Sequence, residues 1–205
     1  MQPPAYAGRL LFVGVVAAAV CAGPAAPAPA AGARHGGDTL ARLRPLADLS
    51  ARRLATAELV AAAKWGTGSP VDDPVREKQV LDTAARQARE AGADPGATVR
   101  ILRDQIEANK RVQRALHRSW DANPAGAPTG RPDLTDVREE INRVNADLVR
   151  TIAGSATARA APSCGGILRV AEALVRRDRH FDRLRTTALT HALRSVCSRP
   201  FAGPV

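Results

Sequence analysis

Apolar residues recur at helical spacing along most of this 205-residue chain, and no long Val/Ile/Thr alternation marks a half-buried strand. A first helix is expected over residues 40–65, with Leu43, Leu46, Leu49, Leu54, Ala57 and Val60 supplying its apolar faces. Residues 34–39 read as a disordered lead, and Pro45 either kinks this helix or marks its true start near Leu46. The glycine- and proline-bearing residues 66–70 end it. Asp73 as N-cap with Pro74 at the first helical position starts a second helix, which runs to about Ala91, where Gly92 is a stop.

Asp94-Pro95 repeats the same start signal, and the helix it opens carries the longest stripe in the chain. Val99, Leu102, Ile106, Asn109, Gln113, Leu116 and Trp120 follow one another three or four residues apart. Two amides therefore sit one turn apart in the middle of an apolar stripe. A buried polar group without a partner costs about 1–3 kcal/mol, so the amides either bond across the bundle or line a polar pocket. The stripe alone weighs these readings evenly. Residues 121–133 form a Pro/Gly-rich connection. A fourth helix is expected from Asp133 or Thr135 to about Ala153, with Leu134, Ile141, Val144, Leu148 and Ile152 facing inward. Arg138 lies at the edge of that face, where an arginine ordinarily snorkels to water. Two shorter helices follow, near residues 167–177 and 180–197. The expectation is an all-α, single-domain bundle of about six helices with its core over residues 46–197.

Composition changes this picture in two places. With 3% aromatics and 45% apolar residues, the core must be built from Leu, Val, Ile and Ala. Residues 10–22 are an apolar run, short for a membrane span, preceded by Arg9 and followed by small residues. They read as a secretory signal over residues 1–33, cleaved after Ala33; a retained anchor is the rival reading. Cys21 could suggest a lipoprotein, but the residues before it lack that pattern. Cleavage would remove Arg9 and lower the formal charge from +10 to +9. The product would be secreted or periplasmic, without a stable membrane anchor.

Export makes the remaining cysteines informative, because Cys164 and Cys197 form an even pair in an oxidising compartment and are most simply a disulfide. The four histidines are scattered away from them, so no metal site is expected. A strongly basic chain invites a nucleic-acid reading. Here the arginines are interleaved with acids along every segment and almost no aromatics are available to stack on bases, so no nucleic-acid partner is expected. The excess charge would still attract anions.

The candidate chemistry lies in cations and amides on helix faces. Arg53 and Lys64 are eleven residues apart; eleven steps of about 100° return a helix to within about 20° of its starting direction. Both would point the same way, about 16 Å apart, toward one small anionic ligand. No Gly-x-Ser-x-Gly, phosphate loop, dinucleotide fingerprint or HExxH motif is present. Asp72-Asp73 are neighbouring carboxylates at a helix start, where capping is the ordinary role. Such a set binds an anion and stabilises developing negative charge, but it contains no nucleophile.

The ordered set Arg53-Leu54, Lys64-Trp65, Pro70 to Glu77, Asp104 to Asn109 with Gln113, then Asn123-Pro124, Arg138, and the two cysteines resembles the secreted chorismate mutases. These are the gamma subclass of the all-helical AroQ type, and the likeness spans nearly the whole mature chain. The resemblance implies the chorismate mutase type II fold and conversion of chorismate to prephenate, on the way to phenylalanine and tyrosine, with no cofactor. It implies a carboxylate clamp of Arg53 and Arg138, and ether-oxygen donors Lys64 and Gln113. It further implies a segment of Asp73, Arg76 and Glu77 that holds the ring hydroxyl. Asn109 stands where Ser or Thr is usual and ranks lowest among the contacts; Gln113 stands where other members carry Gln or Glu. The subclass forms one site per chain, and a homodimer is compatible with it. The rival from another class is a secreted, non-catalytic helical module for an anionic ligand or host partner.

Overall fold

The computed structural model describes residues 31–197, and every regular element among them is helical. In chain order these are α1 (Ala31–Lys64), α2 (Pro74–Glu90), α3 (Pro95–Ala122), α4 (Leu134–Gly154), α5 (Ala156–Ala160), α6 (Cys164–Asp178) and α7 (Arg183–Leu193). A 3-10 turn, Pro124–Gly126, interrupts the connection before α4. The leader expected over residues 1–33 lies outside the described residues as far as residue 30.

Local signals explain most boundaries. Asp73, Asp94 and Asp182 each accept a backbone N–H of the helix they open, and proline occupies the first turn of α2 and α3. Gly92 ends α2 at φ +69°, a conformation that only glycine adopts without strain.

Three expectations need correction. Residues 34–39 belong to α1 and are not a disordered lead: once Leu43 and Leu46 anchor the helix in the core, each further residue costs little to add. Pro45 lies inside α1 and is exposed, so the carbonyl it leaves without a helical donor, that of exposed Ala41, is on the wet side. The last helix starts at Arg183, not His180; His180 adopts φ +50° in the turn that separates α6 from α7.

The long helix α1 runs through the bundle and packs against α3, α4 and α6, while α3 packs in turn against α2 and α7. Leu43, Leu46, Leu102, Leu148, Ile152 and Leu189 are fully buried between these helices. A smaller apolar cluster at the end of α1 joins Ala61 and Ala62 to Trp65 and Trp120, whose rings meet edge-on at 5.4 Å, with His117 tilted against both and bonded to the Ala61 carbonyl at 3.0 Å. The Cys164–Cys197 disulfide ties the start of α6 to the segment after α7. Buried Arg159 of α5 reinforces that corner, donating Nε to the Val196 carbonyl at 2.9 Å.

Candidate active site

Where α1, α2, α3 and α4 meet, they surround a cavity with an open mouth. Arg53, Lys64, Asp73, Arg76, Glu77, Asn109, Gln113 and Arg138 all line it. Every site residue read from the sequence is therefore in one place, and one chain supplies them all. Val60, Val80, Ile106, Leu134 and Ile141 make the apolar walls. Arg53, Lys64, Arg76, Lys110 and Arg138 face two carboxylates, Asp73 and Glu77, so the lining carries a surplus of positive charge.

Arg53 is the deepest cation, only 4% exposed. Its Nε donates to Asn145 Oδ1 and its Nη1 to the Gln105 carbonyl, both at 2.8 Å. Both partners are neutral, and burial pulls the guanidinium pKa down from 12.5 to about 10. A cation held by neutral acceptors in a dry wall is an unpaired charge, and an anionic ligand would complete it.

Lys64 is 8% exposed, and its Nζ donates to the Pro70 and Val71 carbonyls at 2.7 and 3.2 Å. An ammonium has three hydrogens, so one remains for a ligand. Burial lowers its pKa, and neighbouring Asp73 opposes that shift without cancelling it.

The two amides of the α3 stripe bond to each other. Asn109 Nδ2 donates to the Arg53 carbonyl at 3.2 Å and to Thr56 Oγ1 at 3.3 Å, which turns its Oδ1 toward Gln113. Gln113 Nε2 donates to that oxygen at 2.6 Å and keeps its second hydrogen, while its buried Oε1 has no partner among the described residues. Both readings of the stripe thus hold: Asn109 bonds across the bundle, and the pair also lines the pocket.

Nearer the mouth, Asp73 caps α2 by accepting the Arg76 N–H at 3.0 Å and meets Arg138 Nη2 at 3.4 Å. Arg138 keeps 41% of its side chain exposed, so it can exchange Asp73 for an incoming anion at small cost. Arg76 donates to Asn142 Oδ1 at 2.8 Å. Glu77 accepts from Lys110 Nζ at 3.0 and 3.1 Å and from the backbone N–H of Asp73 at 3.4 Å.

Lys110, Gln105 and Asn145 are functional neighbours that the sequence reading missed. Lys110 is 8% exposed; burial alone would lower its pKa, but Glu107, Glu77 and Asp72 outweigh burial and raise it well above the ordinary lysine value. A lysine in a helix reads as solvated face, and beyond Glu107 one turn away nothing local reveals Glu77, 33 residues away in the sequence, as a partner. Gln105 acts on Arg53 through its backbone, which carries no side-chain signal at all.

The arrangement can clamp a small anion with two carboxylates and donate to an oxygen between them. A family model for chorismate mutase type II matches residues 44–114, covering most of α1 through α3. The secreted chorismate mutase of Mycolicibacterium smegmatis is 36% identical over 160 residues, covering 78% of this chain and 88% of that protein. The chain belongs to the chorismate mutase family. The secreted chorismate mutase of Mycobacterium tuberculosis is also 36% identical, over 78% of this chain and 80% of its own length. The crystal structure of a chorismate mutase from Burkholderia phymatum superposes with a TM-score of 0.75 at 34% identity, covering 80% of this chain and all of that one. The family's all-helical fold is the fold seen here. Among the described residues, no helix is long and apolar enough to cross a membrane, and no group of three metal-ligating side chains occurs.

Proposed function

We propose that this chain is a chorismate mutase, an isomerase converting chorismate to prephenate within the cavity between α1 and α4. The observation that carries the proposal is the pair of buried cations in one cavity, Arg53 and Lys64, whose hydrogen-bond partners among the described residues are all neutral. Chorismate is a dianion whose ether C–O bond breaks while a C–C bond forms in the same molecule, so no protein atom bonds to it.

Three contributions follow from the chemistry. Arg53 and Arg138 hold the two carboxylates and gather the flexible side chain over the ring, which lowers the entropic part of the barrier. Lys64 and Gln113 donate to the ether oxygen, which gains negative charge only as its bond to carbon breaks; such donors favour the transition state over the ground state. Asp73 and Glu77 take the ring hydroxyl, with Arg76 closing that side, and Asn109 holds Gln113 in place. One such electrostatic donor is typically worth about 3–4 kcal/mol, so two donors and the clamp together reach the roughly 8 kcal/mol that even a modest enzyme supplies.

Export belongs to the same reading, supported by the apolar run at residues 10–22, the disulfide and the secreted relatives. The test is to mix the purified chain with chorismate and follow loss of its ring absorbance and appearance of prephenate. Turnover that collapses in Arg138→Ala is the expected result; no turnover would leave the rival reading, a non-catalytic anion-binding module, and turnover indifferent to that change would remove Arg138 from the carboxylate clamp.

A further inference from the structure

Asp72 and Asp73 are neighbours in the sequence, but the structure gives them different work. Asp73 caps α2, whereas Asp72 turns the other way and reaches α3. Both Asp72 carboxylate oxygens accept from Arg114 Nη2, at 2.6 and 2.7 Å, and Oδ1 also lies 3.1 Å from Lys110 Nζ. The residues just before it, Pro70 and Val71, are the ones whose carbonyls hold the Lys64 ammonium. Those carbonyls belong to the nine-residue connection from Trp65 to Asp73, in which Gly66 and Gly68 have φ of +68° and +74°. Its other end is tied by Arg131, which donates to the Trp65 carbonyl at 3.2 Å. Between the glycines and Asp72, residues 68–70 are exposed.

We propose that Asp72 is a positioning residue for Lys64, latching the α1–α2 connection to α3 so that the Pro70 and Val71 carbonyls cradle the ammonium over the cavity. The proposal rests on Lys64 being the ether-oxygen donor. Exposed ion pairs add little to global stability, and Asp72 is half exposed. Its effect is local: a glycine-hinged strap with few other ties opens or closes on small energies. Lys110 would stay satisfied without it, because Glu77 and Glu107 remain as partners at 3.0 and 2.7 Å.

The experiment compares the purified wild-type chain with Asp72→Asn, each also in a Lys64→Ala background. Hydrogen exchange, read without substrate, is expected to speed up about tenfold at residues 66–72 in Asp72→Asn, with α3 peptides unchanged. On chorismate, kcat is expected to fall about tenfold with KM within about twofold, since a misplacement of one ångström costs on this scale or more. In the Lys64→Ala background the same change should cost less than about twofold, because contacts acting through one residue are not additive. Unchanged strap exchange would overturn the latch, and an equal kcat loss with and without Lys64 would overturn the route through Lys64. If the wild type does not turn over chorismate, the proposed function fails, while the exchange arm still decides the latch.

Discussion

Replacing Arg53 with methionine separates what this side chain does for the fold from what it does for the reaction. The guanidinium is 4% exposed and held by neutral groups, and a pKa pulled from 12.5 to about 10 corresponds to roughly 3 kcal/mol of charge-burial cost. Methionine removes that cost but strands two acceptors, Asn145 Oδ1 and the Gln105 carbonyl, at about 1–3 kcal/mol each. The opposing terms partly cancel, so the net change should lie between about 1 kcal/mol stabilising and about 3 kcal/mol destabilising, with a correspondingly modest move of the urea midpoint. The reaction has no such compensation. Loss of one partner of a desolvated charge pair costs about 3–5 kcal/mol, equivalent to a fall of roughly 10²–10⁴ in kcat/KM. The assay pairs equilibrium urea unfolding with chorismate turnover on the same preparations. A large loss of stability with activity per folded molecule retained would refute the reasoning, because Arg53 would then be a structural residue.

Further expectations follow from the same geometry. Lys64 must be protonated to donate and burial lowers its pKa in the ligand-free enzyme, so kcat/KM should be full at neutral pH and decline on the alkaline side before the ordinary lysine value of 10.5 is reached; a limb at or above that value would contradict it. Gln113 does not titrate, so wild-type activity should be flat from mildly acid to neutral pH. Gln113→Glu should lose activity as pH rises across that range, because a carboxyl donates only when protonated; a pH–rate profile of the two enzymes decides. Reducing the disulfide, which spans 33 residues, or changing Cys164→Ser should lower unfolding free energy by about 3–4 kcal/mol. Turnover of the remaining folded protein should persist, since the cavity is lined by α1 to α4 and the connection before α2.

The parts of this molecule legible in its sequence are those written in local chemistry. Asp73-Pro74 and Asp94-Pro95 announce helix starts because cap and first turn are adjacent residues, and Gly92 announces a stop for the same reason. The α3 stripe was legible because its apolar positions recur at helical spacing. Its other faces were not, because α3 is surrounded by α1, α2 and α7, which buries Asp104, Gln105 and Lys110 as well. Polar residues spaced around a helix read as solvated until the neighbours are known. The same holds for Arg159, whose partners Val196 and Ile152 offer only backbone carbonyls. Arg53, Lys64 and Gln113 were legible for a different reason, since resemblance to an ordered family set supplied what periodicity left undecided. Physics by itself reached an anion-binding cavity, and the family supplied the anion.

The most direct test is the conversion of chorismate to prephenate, followed by proton NMR, with wild-type and Lys64→Ala proteins side by side at equal concentration. The account predicts that the wild type yields prephenate and that Lys64→Ala is slowed by about 10²–10³ while remaining folded. Equal rates in the two proteins, or chorismate left unchanged by the wild type, would contradict it.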